Sequence, residues 1–255
     1  STMAWGLGYF GMPHILLRFM AIEDEKKLTL SRRIAIVWVV ISMAVAVFIG
    51  VIGYSMSKVG AIDVLEGSNS ETIIVRIADL LSRHGVIFAL LAGVILAGIL
   101  ASTMSTADSQ LLAASSAVSS DMLNRNGKSG IIAARITLLL IAVFSVILAR
   151  NPNSSVFQIV SFAWAGFGAA FGPVVLFSLF WRRTNKYGAL AGMLSGGVMI
   201  FVWKYLVRPL GGAWNIYELL PAFIVACVAI VVFSLATPAP DQSILDEFDR
   251  AASGK

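Results

Sequence analysis

Ile34-Ala-Ile-Val-Trp-Val-Val-Ile-Ser-Met-Ala-Val-Ala-Val-Phe-Ile-Gly-Val-Ile-Gly-Tyr-Ser-Met56 runs for 23 residues without one charged side chain. The hydrocarbon core of a bilayer, about 30 Å thick, takes roughly 20 apolar residues of α-helix, so this stretch is long enough to cross it. Five more runs of the same kind follow, at Gly85–Ala107, Ile131–Ala149, Val156–Phe180, Gly188–Val207 and Tyr217–Ala236. An irregular stretch, Thr2–Met20, precedes them and makes a seventh candidate span. The polar gaps between the runs are too short for a soluble domain. Composition agrees: 58% of the chain is hydrophobic and only 13% is charged, with a mean hydropathy of +0.86. An ordinary globular chain carries about 25% charged residues. So little charge cannot coat a water-soluble particle, and the reading is an all-α integral membrane protein whose outer surface meets the lipid bilayer.

The net charge is +5 and the pI near 9.6, yet no basic cluster with interleaved aromatics suits nucleic acid. The Lys and Arg residues sit in the gaps between apolar runs, where they set membrane orientation. If the gap between Met20 and Ile34 faces the cytoplasm, 13 of the 19 Lys and Arg residues lie inside. That orientation predicts a membrane domain over 1–237 and a solvated cytoplasmic tail over 238–255. The single cysteine, Cys227, excludes an intrachain disulfide, and His14 and His84 are too isolated for a histidine metal centre. Ser1 opens in mid-pattern with no signal peptide, as expected of the carboxy-terminal part of a longer protein.

The long outer gap, 57–84, has internal order. Ser68 and Glu71 stand at capping-box spacing, and Ile73, Ile77, Leu80 and Leu81 form an apolar stripe opposite Arg76, Asp79 and Arg83. A short amphipathic helix is predicted, either packed on the bundle or forming part of an outer gate.

Leu100–Ala117 departs most from what lipid permits. Within it, Ser102, Ser105, Thr106 and Ser109 fall at i, i+3, i+4 and i+7, inside an arc of about 100° on a helix. Hydroxyl and carbonyl oxygens are hard ligands that suit a small alkali cation. Ser and Thr also bond backward to helix carbonyls, which loosens the backbone locally. The competing explanation is helix packing, where the same side chains bond across to a neighbour. Asp108 stands beside the stripe, about 100° from Ser109. A carboxylate at membrane depth faces the interior, a partner or water; Arg125 and Arg135 are candidate partners. Asp108 and Ser109 are taken as supporting the site rather than forming it.

Trp5-Gly-Leu-Gly-Tyr-Phe-Gly-Met-Pro13 concentrates Gly6, Gly8, Gly11 and Pro13 in eight residues. Irregular backbone at membrane depth survives only against protein or a cavity, and broken helices of this kind line substrate sites in secondary transporters. Trp5 and Tyr9 share one face of any helical turn. They read either as a substrate wall, with the indole facing an ammonium group, or as an interfacial aromatic belt. Gly168-x-x-x-Gly172, with Ala163, Ala165, Ala169 and Ala170 around it, and Gly188, Gly192 and Gly196 are close-packing patterns; Gly166, Gly168, Gly172 and Pro173 also offer a hinge. No nucleophile elbow, Walker loop or metalloprotease signature occurs, which argues against an enzyme.

Trp5-Gly-Leu-Gly-Tyr9-Phe-Gly-Met-Pro-His14, Met104-Ser-Thr106 with Gln110-Leu-Leu, Ser161-Phe-Ala-Trp-Ala-Gly-Phe-Gly-Ala-Ala-Phe-Gly-Pro173 and Gly188-Ala-Leu-Ala-Gly192 together resemble the sodium:solute symporter family, most closely its proline-carrying members. The resemblance implies an amino-acid-transporter type inverted-repeat bundle, of which this chain holds the second repeat plus two peripheral helices. It implies sodium ligands at Ser105 and Thr106 through their hydroxyls and at Ser102 through its carbonyl, where the family pattern has alanine. It places aromatic substrate contacts on Trp5 and Tyr9. The implied activity is import of proline or a similar small solute across the plasma membrane, with a sodium ion as coupling ion and no other cofactor. The first repeat and its sodium ligands would lie outside these residues, which are expected not to transport alone. Two alternatives stay open: symport of another small organic solute, and a transporter-like sensor module of a signalling protein.

Overall fold

At membrane depth a backbone N–H or C=O has only its own segment to bond with, so apolar runs of this length become helices. The computed structural model describes residues 5–24, 26–123, 127–150 and 155–253, and the regular structure among them is entirely helical. In order these helices are α1 (Trp5–Gly8), α2 (Pro13–Met20), α3 (Lys27–Lys58), α4 (Ile73–Ser82), α5 (Val86–Ser116), α6 (Gly127–Ala149), α7 (Val156–Phe180), α8 (Lys186–Val202), α9 (Leu219–Ala236) and α10 (Gln242–Ser253). Six are long and apolar enough to cross a membrane once their continuations are counted: Lys27–Lys58, Val86–Met122, Gly127–Ala149, Val156–Phe180, Lys186–Leu210 and Leu219–Ala236. They correspond one for one to the six apolar runs. The largest difference is that α5 does not stop near Ala107. It continues to Ser116 and then widens into π-helix over Ala117–Met122.

The opening stretch is broken as its glycines and proline require. α1 is a single turn, Tyr9–Gly11 is 3-10 helix, and Met12 is extended at φ −80° and ψ 117° before α2 begins at Pro13. The proline ring clashes with a helical preceding residue, which sets the break at Met12.

The chain divides into two compact units, Ala21–Phe157 and Ser1–Met20 with Gln158–Lys255. In the first, α4 packs against α3 and α5, and Ile73 lies so close over Gly53 that a Cβ there would strike its side chain. Packing is therefore how the apolar stripe of α4 is used. The Ser68–Glu71 capping box does not form. Gly67–Thr72 is 3-10 helix, and Thr72 occupies the N-cap of α4 without capping it, its hydroxyl donating instead to Asn69 O at 2.8 Å. Glu71 instead accepts hydrogen bonds from Ser155 Oγ at 2.5 Å and from the backbone N–H groups of Val156 at 3.0 Å and Phe157 at 3.2 Å. It caps the first turn of α7, where free donors and the helix dipole both favour a carboxylate.

The Ser155 hydroxyl, and then the Phe157 and Val156 amides, hold the Glu71 carboxyl below its usual range, against a smaller opposing push from desolvation. A lowered folded value means that the cap contributes fully above the ordinary glutamate range, about pH 4. Its contribution is lost as pH falls through the lower folded value. Thermal melting of the full-length protein across that acid window is expected to show this loss in wild type. The component should be absent in Glu71→Gln, and an identical pH profile for both proteins would contradict the cap.

In the other unit, glycine faces let backbones touch. A Cβ at Gly168 would stand 2.5 Å from Gly8 Cα, and one at Gly11 would stand 2.6 Å from Gly172 N, so the opening segment lies directly on α7. Gly188 abuts Ser234, Gly192 abuts Ile230 and Gly196 abuts the carbonyl of Ala169, which joins α8 to α9 and α7. α7 runs unbroken through Pro173. Beyond α8, Arg208 pairs with the buried carboxylate of Glu218 at 2.9 Å and donates to Asn215 Oδ1 at 3.1 Å, closing the 208–218 connection. The tail carries the helix α10, whose residues are mostly exposed. α10 is amphipathic, and Asp249 is gripped by a two-pronged bond from Arg182, at 2.9 and 2.8 Å. Asn185 caps α8 by accepting from Gly188 N at 2.9 Å, while its Nδ2 donates to Thr237 Oγ1 and Pro238 O, each at 2.7 Å.

Candidate functional site

α5 carries the hydroxyl stripe as a regular α-helix. A 3.6-residue period brings Ser102, Ser105, Thr106 and Ser109 onto one side. Ser102, Ser105 and Thr106 are exposed, and Ser109 is half-buried. Thr106 Oγ1 donates to Ser102 O at 3.2 Å and Ser109 Oγ donates to Ser105 O at 3.1 Å. These are the backward bonds that Ser and Thr make in helices. They do not open the helix at the stripe; the widening comes more than two turns later, in the π-helix. Ser102, Thr103 and Thr106, with Ile95, Gly98 and Ile99, line an open groove of about 620 Å³. Ser105 stands beside this groove rather than in it.

A hydroxyl that donates backward keeps both lone pairs, and a carbonyl oxygen has two acceptor sites. The bond from Thr106 to Ser102 therefore leaves the Thr106 lone pairs available to a cation, whereas the Ser102 carbonyl, which also accepts the helical N–H of Thr106, must release one of these donors to ligate it. Among the described residues no cluster of three or more His, Cys, Asp or Glu side chains converges, so the donors gathered on α5 are chiefly neutral oxygens. Asp108 is exposed and, among the described residues, forms no ion pair with Arg135; Arg125 lies outside the described residues.

The second group of candidates belongs to the other unit. Trp5 stacks on Trp164 with centroids 5.6 Å apart and on Tyr217 at 6.3 Å, while Tyr9 meets the Trp164 ring edge-on at 5.0 Å. Trp164 Nε1 donates to Trp5 O at 3.2 Å, and Tyr217 donates its hydroxyl to Ser161 O at 2.6 Å. Tyr9 remains 57% exposed, which leaves its face free to meet a ligand. Sequence reasoning singled out Trp5 and Tyr9 but missed Trp164 and Tyr217. The signal for Trp164 was present: an indole set between Ala163 and Ala165, in a run that also carries the close-packing glycines.

The model of the sodium:solute symporter family matches residues 1–196. The chain belongs to the sodium:solute symporter family. Among its relatives, a sodium/proline symporter of Haemophilus influenzae is 44% identical over 98% of this chain and 50% of its own length. A sodium/proline symporter of Escherichia coli is 39% identical over 98% of this chain and 49% of its own. An osmoregulated proline transporter of Bacillus subtilis is 38% identical over 94% and 48%. The chain thus spans about half the length of these relatives. No solved structure matches it.

Proposed function

We propose that the protein carrying this chain imports proline, or a similar small solute, together with sodium across the plasma membrane by alternating access. The observation that carries this reading is the row of exposed hydroxyls on α5, in a chain whose relatives are named sodium/proline symporters. Ser105 and Thr106 offer their hydroxyls and Ser102 its carbonyl to the sodium ion. Asp108 and Ser109 support them, the first by its negative charge and the second by fixing the Ser105 carbonyl. Trp5 and Tyr9 form the aromatic contact for the solute, whose ammonium group is attracted to the negative face of the indole. Binding of the ion favours the outward-open form, the solute binds, and the bundle rocks. Each positive charge moved inward down the membrane potential contributes about 2.3 kcal/mol per 100 mV.

The same reading places the 13 inside Lys and Arg residues, the tail and α10 on the cytoplasmic side. The ion is cargo, and no further cofactor enters. Full-length protein reconstituted in vesicles tests the proposal. An inward sodium gradient is expected to drive accumulation of labelled proline, and unlabelled proline should compete better than other small carboxylates. Accumulation indifferent to sodium would overturn the coupling; better competition by another solute would overturn the substrate.

A further inference from the structure

α1 is one turn long, and an isolated turn of helix does not hold itself. The facing of Trp5 and the spacing between Trp5 and Tyr9 must therefore be imposed from outside the segment. Trp164 of α7 touches both. Its ring lies 29° from parallel with Trp5 at 5.6 Å and stands at 68° to Tyr9 at 5.0 Å, both within the range where ring quadrupoles attract. Its N–H grips the carbonyl of Trp5, the residue whose ring it stacks on.

The ring can come this close only because Gly8 lies beneath it. A Cβ at Gly8 would stand 2.7 Å from Trp164 Nε1 and 2.8 Å from Cδ1. Tyr217 supports Trp5 as well, nearly parallel at 12° and 6.3 Å. Its hydroxyl is fixed to Ser161 O, one turn before Trp164 on α7, and the neighbouring Glu218 is locked by Arg208.

We propose that Trp164 is a positioning residue for solute binding, setting the geometry of the Trp5–Tyr9 contact, with Tyr217 as its support from just before the last span. This rests on the reading of Trp5 and Tyr9 as solute contacts. It adds a specificity element on α7: the width and tilt of the aromatic wall, and so the shape of small zwitterion it accepts, are set by a residue with no assigned contact to the solute.

The test is proline uptake by full-length protein, scored as the KM for proline against the half-saturating sodium concentration at matched membrane levels. Trp164→Ala is expected to raise the proline KM about three- to tenfold, the worth of an aromatic pair, with sodium half-saturation unchanged. Tyr217→Phe, which keeps its ring, should shift KM less than Tyr217→Ala. In the double variant Trp5→Ala/Trp164→Ala the further rise in proline KM over Trp5→Ala should be smaller than the rise Trp164→Ala causes in the wild type, since only the Tyr9 contact is left to position. If Trp164→Ala fails to reach the membrane, Trp164→Phe carries the test: it keeps a ring, loses the N–H, and should shift KM in the same sense by a smaller factor. A wild-type KM in the Trp164 variant, or an equal further shift whether or not Trp5 is present, overturns the positioning role. A wild-type KM in Trp5→Ala overturns the solute-contact reading itself, a result the single Trp164 variants do not produce.

Discussion

Full-length protein with Ser105 and Thr106 both replaced by alanine is expected to lose apparent sodium affinity in proline uptake by about a hundredfold or more. Each hydroxyl bound to a cation makes a charge-assisted contact, and alanine offers none in its place. Helix formation should not suffer, since alanine is the best helix former and both side chains are exposed. Thr106→Ala also removes the bond to Ser102 O and so frees that carbonyl, which partly offsets the loss. The single variants are accordingly expected to fall between wild type and the double variant. Uptake measured against sodium concentration decides the matter. An unchanged half-saturation in a protein delivered at wild-type level would reassign the stripe to helix packing.

Gly196→Val is expected to be strongly destabilising where α8 packs on α7 and α9. Its Cβ would strike the carbonyl of Ala169 and come within 3.1 Å of Ala226 Cβ. Those neighbours are backbone or already the smallest side chain, and Ala169 and Ala226 are fully buried, so nothing can rotate away. The helices must separate, at a cost of about 3 kcal/mol or more. Gly197→Val is the control, because nothing lies within 4 Å of a Cβ there. Melting of the purified full-length variants should show a sharp drop for position 196 and little change at 197. Equal melting temperatures would mean that the close approach at Gly196 contributes nothing.

Much of this was legible because membrane depth leaves a chain few choices. Length and hydropathy predicted six helices, and three glycines with a proline predicted a break that falls at Met12. The GxxxG and Gly188–Gly192–Gly196 spacings marked contact faces because they need only local periodicity. What was missed depends on partners distant in sequence. Glu71 fits a local capping box with Ser68, but a better set of donors stands at Ser155–Phe157, about 85 residues on. Trp164 and Tyr217 meet Trp5 across more than 150 residues, and no period in the sequence connects them. The π-helix at Ala117–Met122 escaped because a hydropathy pattern does not distinguish π from α bonding. Of the site, the hydroxyl face was readable from spacing, whereas the scaffold that aims the aromatic pair was not.

The seat of the opening segment on α7 has a mechanical consequence. Where Gly8 meets Gly168 and Gly11 meets Gly172, main chain bears on main chain at the points of nearest approach. Rotamer changes, the usual means by which packed helices slide, have nothing to work with there. A sideways slip of a fraction of an ångström meets steep repulsion, and outward lift forfeits the whole contact at once. The segment and α7 should therefore travel as a single rigid lever, so that any tilt of α7 reaches Trp5 and Tyr9 undamped.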